Sequence, residues 1–294
     1  MSNVGNSNNI TRNYLDSLLI ETRFIDSTNP KLDFELFGKK FASPIMTAAL
    51  SHLDHFMFPG ASELLAQGAK DADAVLWYGM AEDEEIDRLA AKGAGMIEII
   101  KPYTQRDLIF SKIKHAGEKD LLAVGIDIDH PFAEDGTPDN VDGYEMTAIR
   151  TEELAEICGS TKLPVIAKGV LSVHDAEKCL KAGVSGILLS HHNNRIEYAI
   201  PPLMILPKII EVVNGAVPVF VDDEIRTGMD AFKALALGAA GVCIGRPLMT
   251  AIKTDPDKGV CAYLRKANAE LAKAMAYTGC TDLSKMDPTV IHML

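Results

Sequence analysis

Short runs of β-branched and apolar residues alternate along this chain with stretches in which apolar residues recur every three or four positions. The first kind of run reads as buried strand, the second as amphipathic helix. Strands are predicted at 44–49, 74–78, 95–100, 121–128, 164–167, 186–190, 217–221 and 241–244. Helices are predicted between them, at 61–68, 82–92, from about 105, and at 151–158, 173–182, 207–213 and 229–237, with a helical tail over 257–278. Runs such as VPVFV and GILLS are apolar on both faces, as strands of a parallel sheet covered by helices must be. Eight strand–helix units without a break in composition predict an α/β fold of the TIM type, a closed (β/α)8 barrel. Residues 31–294 form that single domain, carboxyl-terminal helices included. A doubly wound open sheet is the competing arrangement, and polar residues after so many different strands favour closure. Residues 1–30 read as a polar, irregular extension with one apolar piece at Leu18–Ile20; it caps the barrel or meets a partner.

Composition narrows the function. A chain of 294 residues with 47% hydrophobic and 24% charged residues folds around a sizeable core. Its 41 acidic and 29 basic residues give a net charge of -12, which disfavours nucleic acid or an anionic membrane as partner. A small anionic substrate stays open, because one local arginine outweighs a distant net charge. The opening MSNVGNSNNITRNY lacks the apolar core of a secretory signal, and no apolar run approaches a membrane span. Cys158, Cys179, Cys243, Cys261 and Cys280 are odd in number and form no CxxC pair. They read as reduced residues of a cytoplasmic protein, with Cys243 in the core.

In a barrel, side chains just beyond the strands converge on one mouth. Here they include His52, Asp54 and His55 after the first strand, and Glu98 and Lys101 at the third. Asp127, Asp129 and His130 follow at the fourth, and Lys168 at the fifth. His191, His192, Asn193, Asn194 and Arg195 follow the sixth strand; Asp222, Asp223, Glu224 and Arg226 the seventh; Gly245 and Arg246 the eighth. Glu98 and Asp127 sit inside apolar strands, where an unpaired carboxylate is costly, so each needs a ligand or a salt bridge to Lys101 or Lys168. Asp129 and His192 suggest an acid–base pair, in which the carboxylate fixes the imidazole tautomer. Arg195 can clamp a carboxylate through two parallel bonds, and Lys168 can face an anion developing in the transition state. Arg226, Gly245 and Arg246 occupy the region where barrels bind phosphate, with Asp223 and Glu224 opposing it by charge.

The segments LPVIAKG, GILLSHHNNR and VPVFVDDEIRTGMDAFKALALGAAGVCIGRP resemble the FMN-dependent 2-hydroxy-acid oxidases and dehydrogenases, the group of glycolate oxidase and lactate oxidase. The family's serine–asparagine–histidine–glycine–glycine–arginine run matches SHHNNR at 190–195. The resemblance implies that His192 abstracts a proton from a small 2-hydroxy acid, that Asp129 orients it, and that Arg195 binds the substrate carboxylate. It implies that Lys168 faces the flavin, that Arg226 and Arg246 hold its phosphate, that the product is a 2-keto acid, and that the chain forms a homo-oligomer. The chain also departs from the family pattern. Asp222, Asp223 and Glu224 replace an aspartate–glycine–glycine run, Glu98 matches a flavin-contacting glutamine, and Asp127 matches a flavin-contacting threonine. Ile100 replaces a tyrosine, and no arginine follows the fourth strand in HPFAEDG. These changes leave two other readings open. One is a flavin-independent hydrolase, lyase or isomerase using acid–base chemistry or a divalent metal, with His52, His55, His130, His191, Asp127, Asp223 and Glu224 as ligands to choose from. The other is a binding or scaffold protein.

Overall fold

The computed structural model describes residues 4–294. Eight parallel strands make the barrel: β1 (Ile45–Thr47), β2 (Leu76–Gly79), β3 (Met96–Ile100), β4 (Ala123–Asp127), β5 (Val165–Val170), β6 (Gly186–Leu189), β7 (Val219–Val221) and β8 (Gly241–Ile244). Continuous ladders run in the order β1-β8-β7-β6-β5-β4-β3-β2. The remaining junction, β1 to β2, is closed by single bonds. Thr47 N donates to Val75 O at 3.1 Å and Gly79 N to Leu50 O at 3.0 Å. Thr47 Oγ1 also accepts from Trp77 N at 2.9 Å.

Strand alternation sorts side chains into two cores. Met46, Trp77, Ile97, Ile99, Ile166 and Phe220 fill the lumen. Their neighbours along the strands, such as Leu76, Met96, Ile126 and Ile187, pack outward against the helices. The lumen is therefore apolar at its base, and the polar residues sit above it, at the carboxyl ends.

Helix ends follow local chemistry. Ser172 accepts from Asp175 N to start the helix Val173–Ala182, which Gly183 ends at φ 83°. Thr227 and Asp230 form a reciprocal cap on Gly228–Ala236. The helix after β6 begins at Pro202, earlier than the predicted 207, because Pro207 lies inside it rather than at its start. A short helix, Arg246–Thr254, directly follows β8.

The amino-terminal extension is not irregular. Ser7–Ser17 is a helix capped by Asn6, and Leu18–Ile20 pairs antiparallel with Ile291–Met293 near the other end of the chain. Its polar composition concealed the helix, because only Ser7, Thr11 and Leu15 are buried, one per turn, and two of them are polar. Polar side chains hold this helix to the barrel: Arg12 bonds Asp230 at 2.8 Å and the Glu224 carbonyl at 2.9 Å. Gly228 lets its helix lie against Gly259–Thr278, since a Cβ there would fall 2.0 Å from Ala267 O. Gly228→Ala is expected to cost about 1–3 kcal/mol by overpacking, measured as a lower urea midpoint at unchanged slope.

Candidate active site at the barrel mouth

The mouth is built on one buried carboxylate. Asp127 is the last lumen-facing position of β4, and it accepts from Lys101 Nζ at 2.5 Å and Lys168 Nζ at 2.8 Å. Burial opposes its ionisation, but His192, Lys101 and Lys168 outweigh burial and hold Asp127 well below the usual carboxylate range. Burial likewise opposes the charge on Lys168, and Asp127, Asp129 and Asp222 more than restore it. Lys101 is pulled below the ordinary lysine value by burial, against the attraction of Asp127.

His192 lies on the loop after β6. His192, Asn193 and Asn194 take left-handed φ of 51°, 57° and 70° in succession. Asparagine is among the residues that tolerate this conformation best. Asp223 pins the loop, accepting from His191 N at 2.5 Å and Asn193 N at 3.1 Å. Thr11, on the amino-terminal helix, bonds His191 Nε2 at 2.8 Å. His192 Nδ1 then lies 3.0 Å from Asp129 Oδ1 and 3.1 Å from Lys168 Nζ. A protonated Nδ1 donating to Asp129 leaves the Nε2 lone pair free to act as a base. Burial lowers the proton affinity of His192, but Asp127 and Asp129 outweigh it and raise the value overall. Burial and the charge of Asp127 push Asp129 up as well. Gly169, at φ 92°, makes room for this pair: a Cβ there would lie 2.2 Å from Asp129 Cγ.

Two cavities open at the mouth, the first lined by His192 and the second by its neighbour His191. One, of about 480 Å³, is lined by Lys168, His192, Asp222, Arg226, Gly245 and Arg246 among others. The other, of about 580 Å³, is lined by Asp129, Phe132, Gly169, His191 and Arg195 among others. Each has a buried carboxylate oxygen without a partner among the described residues, Asp222 Oδ1 at the first and Asp129 Oδ2 at the second. Such orphaned atoms suit a wall meant to meet a ligand. Burial, then the neighbouring Asp223, pushes Asp222 well above the usual range and favours its neutral form.

The structure therefore brings together Asp127, Asp129, Lys168 and His192, and sets Asp222, Asp223, Glu224, Arg226, Gly245 and Arg246 around the adjoining cavity. Glu98 does not join them. It alternates with lumen-facing Ile97 and Ile99 and so faces the helix layer, where Lys112 and Asp83 are its nearby charges. Burial raises Glu98 to about 7, and its Oε2 has no partner among the described residues. The expected bond to Lys101 or Lys168 is absent, because β3 presents its odd-numbered residues to the lumen. Arg195 is already engaged, with Asp139 and the Phe132 carbonyl. Asp139, which also lies 2.7 Å from His130 Nδ1, belongs to the long acidic loop after β4, where no sequence pattern singled it out. His130 stacks edge-on to His192 at 4.8 Å. Burial, with Lys101 and His192 nearby, lowers it to about 3, so it stays neutral.

The histidines considered as metal ligands do not assemble. His52 pairs with Asp142, and His191 with Asp223 and Thr11. Asp127, Asp129 and His192 are close enough to share an ion, but Lys101 and Lys168 already hold both oxygens of Asp127 and would repel a cation.

An eight-stranded parallel barrel with a carboxylate-paired histidine and a buried lysine at its carboxyl end has the architecture of the TIM-barrel class. Residues 2–148 and 132–293 match the model of the FMN-dependent dehydrogenase family, and the chain belongs to that family. It is 26% identical over 314 residues to glycolate oxidase of Spinacia oleracea, covering 94% of this chain and 84% of that protein. It is 38% identical over 162 residues to L-lactate oxidase of Roseobacter sp. (strain GAI101), covering 55% and 44%. A mandelate oxidase structure with benzoyl-formic acid superposes with a TM-score of 0.88 at 25% identity, covering 99% of this chain and 90% of that one. A mandelate oxidase variant with the monooxide FMN adduct gives 0.85 at 26%, covering 99% and 92%. The protein is thus an FMN-dependent oxidoreductase acting on a small hydroxy acid. Among the described residues, no helix is long and apolar enough to cross a membrane. The lining of the first cavity holds the cations that FMN needs, Lys168, Arg226 and Arg246, beside the start of the helix after β8, with Glu224 bridging the two arginines.

Asp127→Ala would leave two buried ammonium groups facing each other. The expected loss is about 3–5 kcal/mol of stability, read as a lower denaturation midpoint in the full-length protein.

Proposed function

We propose that His192 is the base that takes a proton from a 2-hydroxy acid, and that the product is the corresponding 2-keto acid. The observation that carries this is the Asp129–His192 pair, joined through Nδ1 at 3.0 Å, with Nε2 unpartnered among the described residues. FMN, when bound, supplies the two-electron acceptor. Lys168, Arg226 and Arg246 are the groups to hold it, and Gly245 leaves space before the helix that follows. Lys168 keeps a positive charge where negative charge would build up. Arg195 binds the substrate carboxylate with the donors that Asp139 leaves free; Asp139 and the Phe132 carbonyl fix its orientation. Asp127 sets the charge of both lysines and thereby the floor of the site.

Glycolate, L-lactate and mandelate are the substrates to try, since relatives are named for oxidising them. We further propose that 31–294 folds as one unit, that the chain is cytoplasmic and that it forms a homo-oligomer. Five free cysteines support a reducing compartment, and exposed Phe24 and Ile25 support a subunit contact. Light scattering of the purified protein tests the last point.

His192→Ala is expected to lower kcat by about 10²–10⁴-fold while leaving FMN bound; unchanged turnover would overturn the assignment. The base works only when neutral, and its proton affinity is raised. Activity should therefore fall on the acid side, with the limb of the kcat/KM profile above the ordinary histidine value. Asp129→Asn removes a charge that favours imidazolium, so that limb should move to lower pH as kcat falls.

A further inference from the structure

We propose that Glu224 is a built-in competitor for the phosphate of FMN. Its carboxylate fills the clamp between Arg226 and Arg246, so the phosphate adds little affinity and the cofactor is held as an exchangeable ligand. The inference rests on the reading that these two arginines form the phosphate end of the site.

The geometry is direct. One oxygen of Glu224 accepts from Arg226 Nη2 and the other from Arg246 Nη2, so a single carboxylate bridges both guanidinium groups. The Glu224 side chain is 2% exposed and each arginine side chain 53%. The acid lies beneath the cations, and the cations face the solvent. A bridging carboxylate of this kind makes the contacts that a phosphate would make.

The backbone supports the same conclusion. Asp223 and Glu224 hold φ of 63° and 60°, a conformation that favours glycine. Side chains that persist at strained positions do so because surrounding contacts hold them there. Asp223 is held by the amides of the β6 loop, which explains its place without a ligand. Glu224 has no such loop to secure. Its side-chain partners are the two arginines, and its carbonyl is fixed by Arg12 at 2.9 Å. The other acids of the cavity do not compete for the clamp, since Asp222 sits beside Ser190 and Lys168 on the barrel floor.

For phosphate to enter, the Glu224 carboxylate must leave or share the arginines with a second anion. Either event opposes binding of the phosphate and leaves the ring end, at Lys168, unaffected. Affinity should therefore depend on the ring system far more than on the phosphate.

The test compares FMN with riboflavin, which lacks the phosphate, by flavin-fluorescence titration of the full-length, flavin-free protein. The wild type should bind the two within about tenfold of each other. Glu224→Gln and Glu224→Gly should tighten FMN by about 10–100-fold, the worth of a freed charge-assisted contact, with riboflavin unchanged. Inorganic phosphate, followed by calorimetry, should bind the variants and not the wild type. A wild type that prefers FMN by much more than this, or variants whose FMN and phosphate affinities do not rise, would overturn the proposal. If the variants gain phosphate but no form binds either flavin, the clamp assignment stands and the flavin-dependent reading fails. If neither variant folds, the wild-type ratio of FMN to riboflavin affinity decides alone.

Discussion

Two lysines and one aspartate, buried together at the top of the lumen, set the terms for everything above them. Taking these ions out of water costs several kcal/mol each, which their mutual attraction offsets only with close geometry. Asp127 meets that condition by giving one oxygen to Lys101 and the other to Lys168. Lys168 then reaches His192, and His192 reaches Asp129, so the order of charges from the barrel floor to the cavity wall follows from one strand position. Lys101 and Lys168 lie close enough to Asp127 to oppose a metal cation there.

Around that cluster, segments far apart in the chain hold the loops. The β6 loop is kept in a left-handed path by Asp223 from the neighbouring strand and by Thr11 from the amino-terminal helix. Arg12 of the same helix fixes the backbone of Glu224 and the cap residue Asp230. The amino-terminal segment is thus part of the mouth, joining the β6 loop to the backbone of Glu224 at the first cavity. Gly169 is the matching constraint from below, since any side chain there would collide with Asp129.

The two halves of the mouth differ in how their charges are satisfied. In one half Asp129, His192 and Lys168 are in mutual contact. In the other half the Glu224 carboxylate bridges the guanidinium groups of Arg226 and Arg246. The contacts that orient His192 do not pass through Glu224, Arg226 or Arg246.

Eight apolar runs at regular spacing specified the barrel, because burial on both faces leaves a period that survives without knowledge of neighbours. The grouping of Asp129, Lys168 and His192 was legible for a related reason: strand ends in a closed barrel must meet. Other features depended on contacts between distant segments. Which face of β3 carries Glu98 turns on a one-residue register that apolar neighbours on both sides cannot reveal. The helix Ser7–Ser17 is held by polar bonds to loops nearly two hundred residues away, so its own sequence has no apolar stripe to betray it. Asp139 became a partner of Arg195 only when the acidic loop folded over the mouth. Glu224 read as a repulsive charge in the chain and became the neutralising one in space. The sequence by itself determined the layers and their order, through hydrophobic periodicity; the tertiary structure decided which charges face one another, because Coulombic pairing depends on distances that no local pattern records.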